Sequence, residues 1–508
     1  FLSPNPAAIA VHGSRLIVPP GQSISLVGGT KGFTYANPST GAPASVPDGV
    51  TVTGGHLIAP GGLIKIVSVA SAGEIVAGTL NHASNIDGQS FRALGTVQVS
   101  QNSKIDTSGD GGGGIHIRGG RLLVDDSTIS ANSTKTAGSG VGRRLDPGWL
   151  GIGIEVEVAQ DAVIDNGSVI QTNVESGADH GSGGVRITAD HITISGGPKI
   201  LASLMGSQPG PPPFAGVKSN VEQGNTAARS GNISLNATSI QLRDFGQIET
   251  VTQSIGKAGD ITLKALGNIN IEMAILGSGS ETSPGNAGNI TLSSTQGNIT
   301  IANSFITSQT NGSSGNAGDI NIHAPHGDIS IVEVTEVLNA TRGTTGTLGS
   351  ILITGNNLLL NQQSSIAGNN FTTPVPGNIA ITLDGRLTVA EGSRILTRAL
   401  GPANAADLII KARDVLIADG GKLDSGTFSS GAGGAIDLSA LSLTIQNGGK
   451  ISAETSGASP NATGGSIVIN TTDHVIMTNG ASITASSVVD RETPNSGIAN
   501  AGNISINA

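Results

Sequence analysis

At 508 residues the chain is long enough for several ordinary domains, yet 76 glycines, 2% aromatic and 12% charged residues fit no ordinary globular domain. A net charge of −10 argues against an electrostatic grip on nucleic acid or an anionic membrane, and without cysteine there is neither a disulfide scaffold nor a thiolate metal site. No apolar run approaches the ~20 residues of a membrane-inserted helix. Glycine does not recur at every third residue, which excludes collagen, and regular aliphatic spacing excludes simple disorder.

Residues 1–110 carry short alternating apolar and polar runs, at 14–29, 50–71 and 95–109. The Pro- and Gly-rich stretch 32–49 interrupts them and reads as an excursion loop. Regular repeats follow over 111–508. The clearest copy is GNITLSSTQGNITIANSFITSQTNGSSGNAG at 288–318, with alternating runs around Ile290/Leu292, Ile299/Ile301 and Ile306. That alternation is the signature of strands with one buried face.

The glycine two positions before each copy falls at Gly231, Gly259, Gly288, Gly318, Gly349 and Gly377. Ala406 takes the same slot, then Gly434, Gly465 and Gly502 follow, with Gly113 and Gly183 matching upstream. Steps of mostly 28–31 residues mean a solenoid. From second run to third (Ile240 to Ile248, Leu387 to Ile395, Val475 to Ile483) the step is nearly always 8, whereas the return to the next first run varies widely. Two fixed corners and one variable corner predict an all-β, right-handed parallel β-helix, a three-sided β-solenoid of about 30 residues per rung and about fourteen to sixteen rungs. One rung buries too few aliphatic side chains to offset its ordering entropy, so rungs fold only by stacking.

Candidate sites are few. Asp106 and Asp110 flank a glycine tract, but the calcium-binding nonapeptide pattern is not met, and a solvated turn is the expectation. His323 and His326 lie three apart with no carboxylate nearby in sequence, so no metal site is expected. Asp260 and Asp319 occupy a corner slot that Asn fills elsewhere, which fits capping of backbone N–H groups better than acid–base catalysis. Asn232, Asn268, Asn289, Asn298, Asn378 and Asn503 are expected to form ladders between adjacent rungs. The variable corner, with 135–149, 204–224, 341–349, 369–377 and 487–502, is the recognition candidate, and 132–150, 203–230 and 486–500 are expected on one edge. Arg143, Arg144, Trp149 and Phe214 are its least expected residues, and the competing reading is that Trp149 and Phe214 only pack their own loops. A lectin-like module would need more exposed aromatics than ten in 508 residues provide.

FLSPNPAAIAVHGSRLIVPPGQSISLVGG, followed by HLIAPGGLIKIVSVASAGEI, resembles the segment just after the secretion domain of filamentous haemagglutinin-family two-partner-secretion exoproteins. The GNI(T/S)L repeats and the NAG corner resemble their β-helical region, so the likeness covers the whole chain. It implies export through an outer-membrane β-barrel transporter and display on the surface of, or outside, a Gram-negative bacterium. It also implies a non-enzymatic adhesin or extracellular filament without cofactor or metal, meeting a host or neighbouring-cell surface or a polysaccharide. The alternative from another class is a β-helix polysaccharide-active lyase or hydrolase, recognisable by carboxylates clustered on one face. The secretion domain's NPNL and NPNG-type motifs are missing, and GNISINA at 502–508 opens a new rung. A longer parent chain, or end-to-end self-association, is therefore expected.

Overall fold

The computed structural model describes residues 6–36, 43–46, 48–73, 91–134, 152–178, 181–198, 214–224, 228–281, 284–312, 314–343, 345–371, 377–428, 430–456, 462–487 and 499–508. Strands dominate them. Their ladders are parallel except for one antiparallel hairpin, Phe33–Ala36 with Pro43–Val46, and an isolated bridge between Val69 and Leu94. The chain divides into two compact units, Phe1–Thr250 and Val251–Ala508.

In Val251–Ala508 each repeat forms three strands. First strands such as Ile261–Ala265, Ile290–Ser294 and Ile320–Ala324 pair without slip, so Ile261, Ile290, Ile320, Ile351 and Ile379 stand in one column. Second strands, including Ile269–Glu272, Ile299–Ala302 and Ile329–Val332, align Ile269, Ile299 and Ile329. Third strands, including Ile275–Ser280, Phe305–Thr310 and Glu336–Thr341, align Leu276, Ile306 and Val337. All of these inward aliphatics are essentially fully buried. The parallel β-helical stack read from the repeat is thus present.

The recurring glycine has a steric cause. A Cβ on Gly288, Gly318 or Gly465 would lie 2.0, 2.2 or 1.9 Å from the carbonyl oxygen of the glycine one coil earlier. Glycine admits backbones that close most readily, and Ala406, which takes the slot in one coil, carries the smallest side chain that has a Cβ. Inward polar groups tie the same point. Ser278 Oγ accepts the Gly288 N–H (2.7 Å) and donates to the Gly259 carbonyl (3.1 Å). Ser308 repeats this with Gly318 and Gly288, and Asn339 with Gly349 and Gly318.

The corner between second and third strands is left-handed. Met273, Asn303, Glu391, Asp419, Asn447 and Asn479 all have φ between 46° and 52°. A second left-handed residue follows in several coils: Gln363 in one, and glycine in the four after it, Gly392, Gly420, Gly448 and Gly480. Val334 takes that place in its coil at φ 59°, where a β-branched side chain is strained. Behind the corner runs a buried hydroxyl ladder. Ser304, Thr335, Ser364 and Ser393 each accept a backbone N–H from the coil before, from Ala274, Ser304, Thr335 and Ser364 in turn (3.0–3.3 Å).

In Phe1–Thr250 the same three strands occur from the start of the described chain. Ile9–His12 is a second strand, Arg15–Ile17 a third and Ser23–Gly28 a first, each paired in parallel with the next coil. The less regular sequence of 1–110 therefore hides regular coils, and the excursion at 32–49 carries the antiparallel hairpin. One expectation is corrected. Residues 196–215 lie between the second strand His191–Ser195 and the third strand Gly216–Lys218, not at the return corner, whereas 131–151 do connect third to first strand. The two insertions consequently leave at different corners, because the Pro-rich stretch interrupts the otherwise constant eight-residue step.

Two outcomes are expected. Ile290→Asp, placing an unpaired carboxylate in a closed aliphatic column, should cost more than about 4 kcal/mol or abolish folding, while exposed Thr295→Asp should shift stability by less than about 0.5 kcal/mol in urea unfolding. Val334→Gly should stabilise by about 1 kcal/mol by relieving the left-handed strain, read as a higher urea midpoint.

Candidate functional site

Phe214 stands at the entry to Gly216–Lys218, half-buried, with the Lys218 ammonium 4.9 Å from its ring centre. Lys218 aligns with Gln171 and Glu249 on the outward row of the third strands. Beside that row Asn132, Asn173 and Asn220 form a ladder, in which the Asn132 and Asn173 amide oxygens accept the N–H of Asn173 and Asn220 (2.9 and 3.0 Å). Phe214 is thus packed against a strand of its own coil. Arg143, Arg144 and Trp149 lie outside the described residues.

The remaining sequence candidates resolve one by one. Asp106 is not in a solvated turn. It sits on the third strand Lys104–Asp106, nearly buried, where it binds Lys104 Nζ (2.7 Å), the Ser108 N–H and the Ser130 hydroxyl (2.9 Å each). Burial raises its pKa, and the Lys104 and Ser108 bonds outweigh that and hold the carboxyl below its usual range. Asp110 is exposed in the turn that follows, and His323 and His326 are both exposed. Asp260 and Asp319 do cap corners: Asp260 accepts Asn289 N–H, Asn289 accepts Asp319 N–H and Asp319 accepts Ser350 N–H, all at 2.8 Å. Asn268 and Asn298 continue the pattern at a second corner (2.9 Å each). The Asn repeat is therefore a ladder from side-chain oxygen to backbone N–H.

Two outward-facing charge clusters were not anticipated. In Phe1–Thr250, first strands place Lys65, His116, Glu155 and Arg186 in one row, and Glu155 lies 3.4 Å from both His116 and Arg186. Glu157 pairs with Arg118, and Asp161 with Arg121 (2.8 Å). Three carboxylates thus share one coil, and each is paired to a cation on a neighbouring coil. The His116 hydrogen bond is the main influence holding Glu155 low, so it stays ionised and is poorly suited to donate a proton. Among the described residues no three His, Cys, Asp or Glu side chains converge as a metal site.

The second cluster lies on third strands of Val251–Ala508. Asp424, with 4% of its side chain exposed, takes Arg398 Nε (3.1 Å) and Nη2 (3.0 Å), Lys422 Nζ (3.2 Å) and the Ser452 hydroxyl (2.7 Å). Burial raises its pKa, but Lys422, Ser452 and Arg398 together hold it below the usual carboxylate range. The Arg398 guanidinium lies 5.4 Å from the Phe428 ring centre, and Arg342 lies 6.0 Å from that of Phe371. Arg342, Phe371, Leu400 and Phe428 occupy one slot of successive coils. Their N–H groups bond to Thr310, Thr341, Asn370 and Ala399, the last residues in register on the coil before. Arg342 and Phe371 lie in the variable-corner stretches 341–349 and 369–377, and Leu400 and Phe428 follow at the repeat's own period, which is the signal in the sequence that joins the four. Compared with protein-family models, curated proteins and solved structures, the chain matches none.

Asp424→Asn should cost about 1–3 kcal/mol at neutral pH, because it removes the buried carboxylate that two partly exposed cations share. A depressed carboxyl stabilises the fold above its unfolded pKa, near 3.9, and that contribution is lost as pH falls through the folded value. The stability gap between wild type and Asp424→Asn should therefore narrow steadily below about pH 4 in denaturant titrations.

Proposed function

We propose that the chain is a right-handed, three-sided β-helix of filamentous haemagglutinin type, with about 30 residues per rung. In this reading it acts outside a Gram-negative bacterium as a non-enzymatic structural or adhesive surface protein. Its partner in export is an outer-membrane β-barrel transporter of the kind that recognises the family's secretion domain. End-to-end self-association and contact with a host or neighbouring-cell surface belong to the same reading.

The observation that carries it is how the reactive groups are engaged. The described inward Ser, Thr and Asn ladders tie one coil to the next, and the carboxylates of both outward clusters are matched to neighbouring cations. A catalytic pair needs one carboxyl whose proton affinity is raised, whereas the carboxyls with a resolved shift are all held low. That supports a scaffold that presents a surface.

Antibodies raised against residues 1–508 provide the test. Gold label on the surface of intact cells or on shed filaments is expected, and disappears when the cognate β-barrel transporter is deleted. Label confined to the cytoplasm would overturn the reading. Release of reducing ends or unsaturated uronates from polysaccharide by the purified chain would replace it with the enzyme alternative.

A further inference from the structure

We propose that the outward face of the third strands between Arg342 and Lys450 binds an extended, carboxylate-bearing polysaccharide. Phe371 and Phe428 are its stacking platforms, and Arg342 and Arg394 its carboxylate-reading groups. Three independent features converge there.

The first is spacing. Phe371 and Phe428 share one slot, two coils apart, with Leu400 in the coil between. Coils stacked through parallel ladders repeat at about 4.8 Å, so the rings recur at roughly twice that. An extended glycan with a two-fold screw turns the same face of its sugar rings to one side at every second residue, a step of similar length. Each aromatic ring then meets the apolar C–H face of alternate sugars. Phe428 is 53% exposed, Leu400 39% and Phe371 half-buried, while Ala367, Leu396 and Asp424 further along the strands are buried, so the open part of the face is the edge along this row.

The second is charge. The third strands Arg394–Ala399, Lys422–Asp424 and Lys450–Ser452 carry Arg394, Arg398, Lys422 and Lys450 against Asp424, with Glu454 just beyond, paired to Lys450. Arg342 adds a further cation at the row's edge. Glu336 opens the third strand that Arg342 follows, so five cations stand against three carboxylates, a local positive excess on a chain whose net charge is −10. Arg342 and Arg394 are exposed, and a guanidinium takes a carboxylate through two parallel N–H bonds.

The third is preorganisation. Arg398 is fixed by two bonds to buried Asp424 while its guanidinium lies against Phe428, so it acts as a positioning residue for that ring. The ring backbones are set by the ladder bonds Phe371 N to Thr341 O (3.2 Å) and Phe428 N to Ala399 O (3.0 Å). A ligand meeting this surface therefore orders little of the protein.

The inference deepens the adhesive reading above and rests on it only in taking the face as binding rather than catalytic. The full chain would be titrated calorimetrically with oligogalacturonates of increasing length, with neutral cello-oligosaccharides and with oligo-dT, while chain length is followed by chromatography. Oligogalacturonate binding is expected to strengthen sharply once the ligand is long enough to cover both rings, and to weaken with salt. Phe371→Ala and Phe428→Ala should each weaken it about three- to tenfold. Arg342→Gln with Arg394→Gln should weaken it and flatten its salt dependence. Phe305→Ala, an exposed ring outside the row of Phe371 and Phe428 and three coils before Arg394, should change nothing. Unchanged melting curves would keep these effects on the surface. Equal loss in Phe305→Ala, equal affinity for the neutral glycan, tighter oligo-dT binding or no binding at all would each overturn the site while leaving the surface-protein reading standing. Shortened oligogalacturonate would instead overturn the non-enzymatic reading and leave the site in place.

Discussion

The contact on which the rest depends is the approach of one glycine to the carbonyl of the glycine below it. Gly288 over Gly259 and Gly318 over Gly288 leave no space for a Cβ, so this point fixes the height of each coil above the last. Once that height is set, the aliphatic columns meet at van der Waals distance and the parallel ladders close. Ser278, Ser308 and Asn339 then place a donor and an acceptor between the two backbones, so polar groups enter the interior without being stranded there.

A second consequence of stacking is that any residue type recurring in one slot becomes a line. Hydroxyls in the slot of Ser304 and Ser364 make a buried ladder, Asx residues in the slot of Asp260 and Asn289 make a capping line, and Arg342, Phe371, Leu400 and Phe428 make an exposed one. A pair of ions far apart in sequence, such as Arg118 with Glu157 or Arg398 with Asp424, comes together for the same reason. Function on this scaffold is a matter of which slot a side chain occupies and over how many coils.

Much of the architecture was legible in the sequence because the repeat is strict where the physics is strict. Gly318 and Ile320 cannot vary freely, so their spacing stands out, and three strands per coil follow from it. Asp260 and Asp319 were readable as caps because Asn replaces them in other coils. Other features carried no such mark. The coils before residue 110 were blurred by the hairpin at 33–46, which interrupts spacing without interrupting pairing. The insertion at 196–215 looks like any return loop in composition, and only its neighbours in space reveal the corner it leaves from. Asp106 reads as a polar residue in a glycine tract, yet the adjacent coil brings Ser130 to it and makes it an anchored group. The Glu155 and Asp424 clusters depend on register between coils, which counting along one chain does not display.

The corner ladder also bears on how such a chain changes over generations. In the series Asp260, Asn289, Asp319, Ser350, the first three coils each offer an oxygen from the side chain and ask of the next only a backbone N–H. The demand is blind to identity. Ser350 satisfies it as well as Asn289 does, and Ile320 N–H still finds the Ser350 carbonyl at 2.9 Å although the side-chain type has changed. At this corner the joint between coils therefore asks nothing of the next side chain, whereas a pair such as Arg398 with Asp424 ties two particular coils together. Unequal recombination would add or delete a coil most readily where no such ion pair is cut, so repeat number is freer to drift in some stretches than in others.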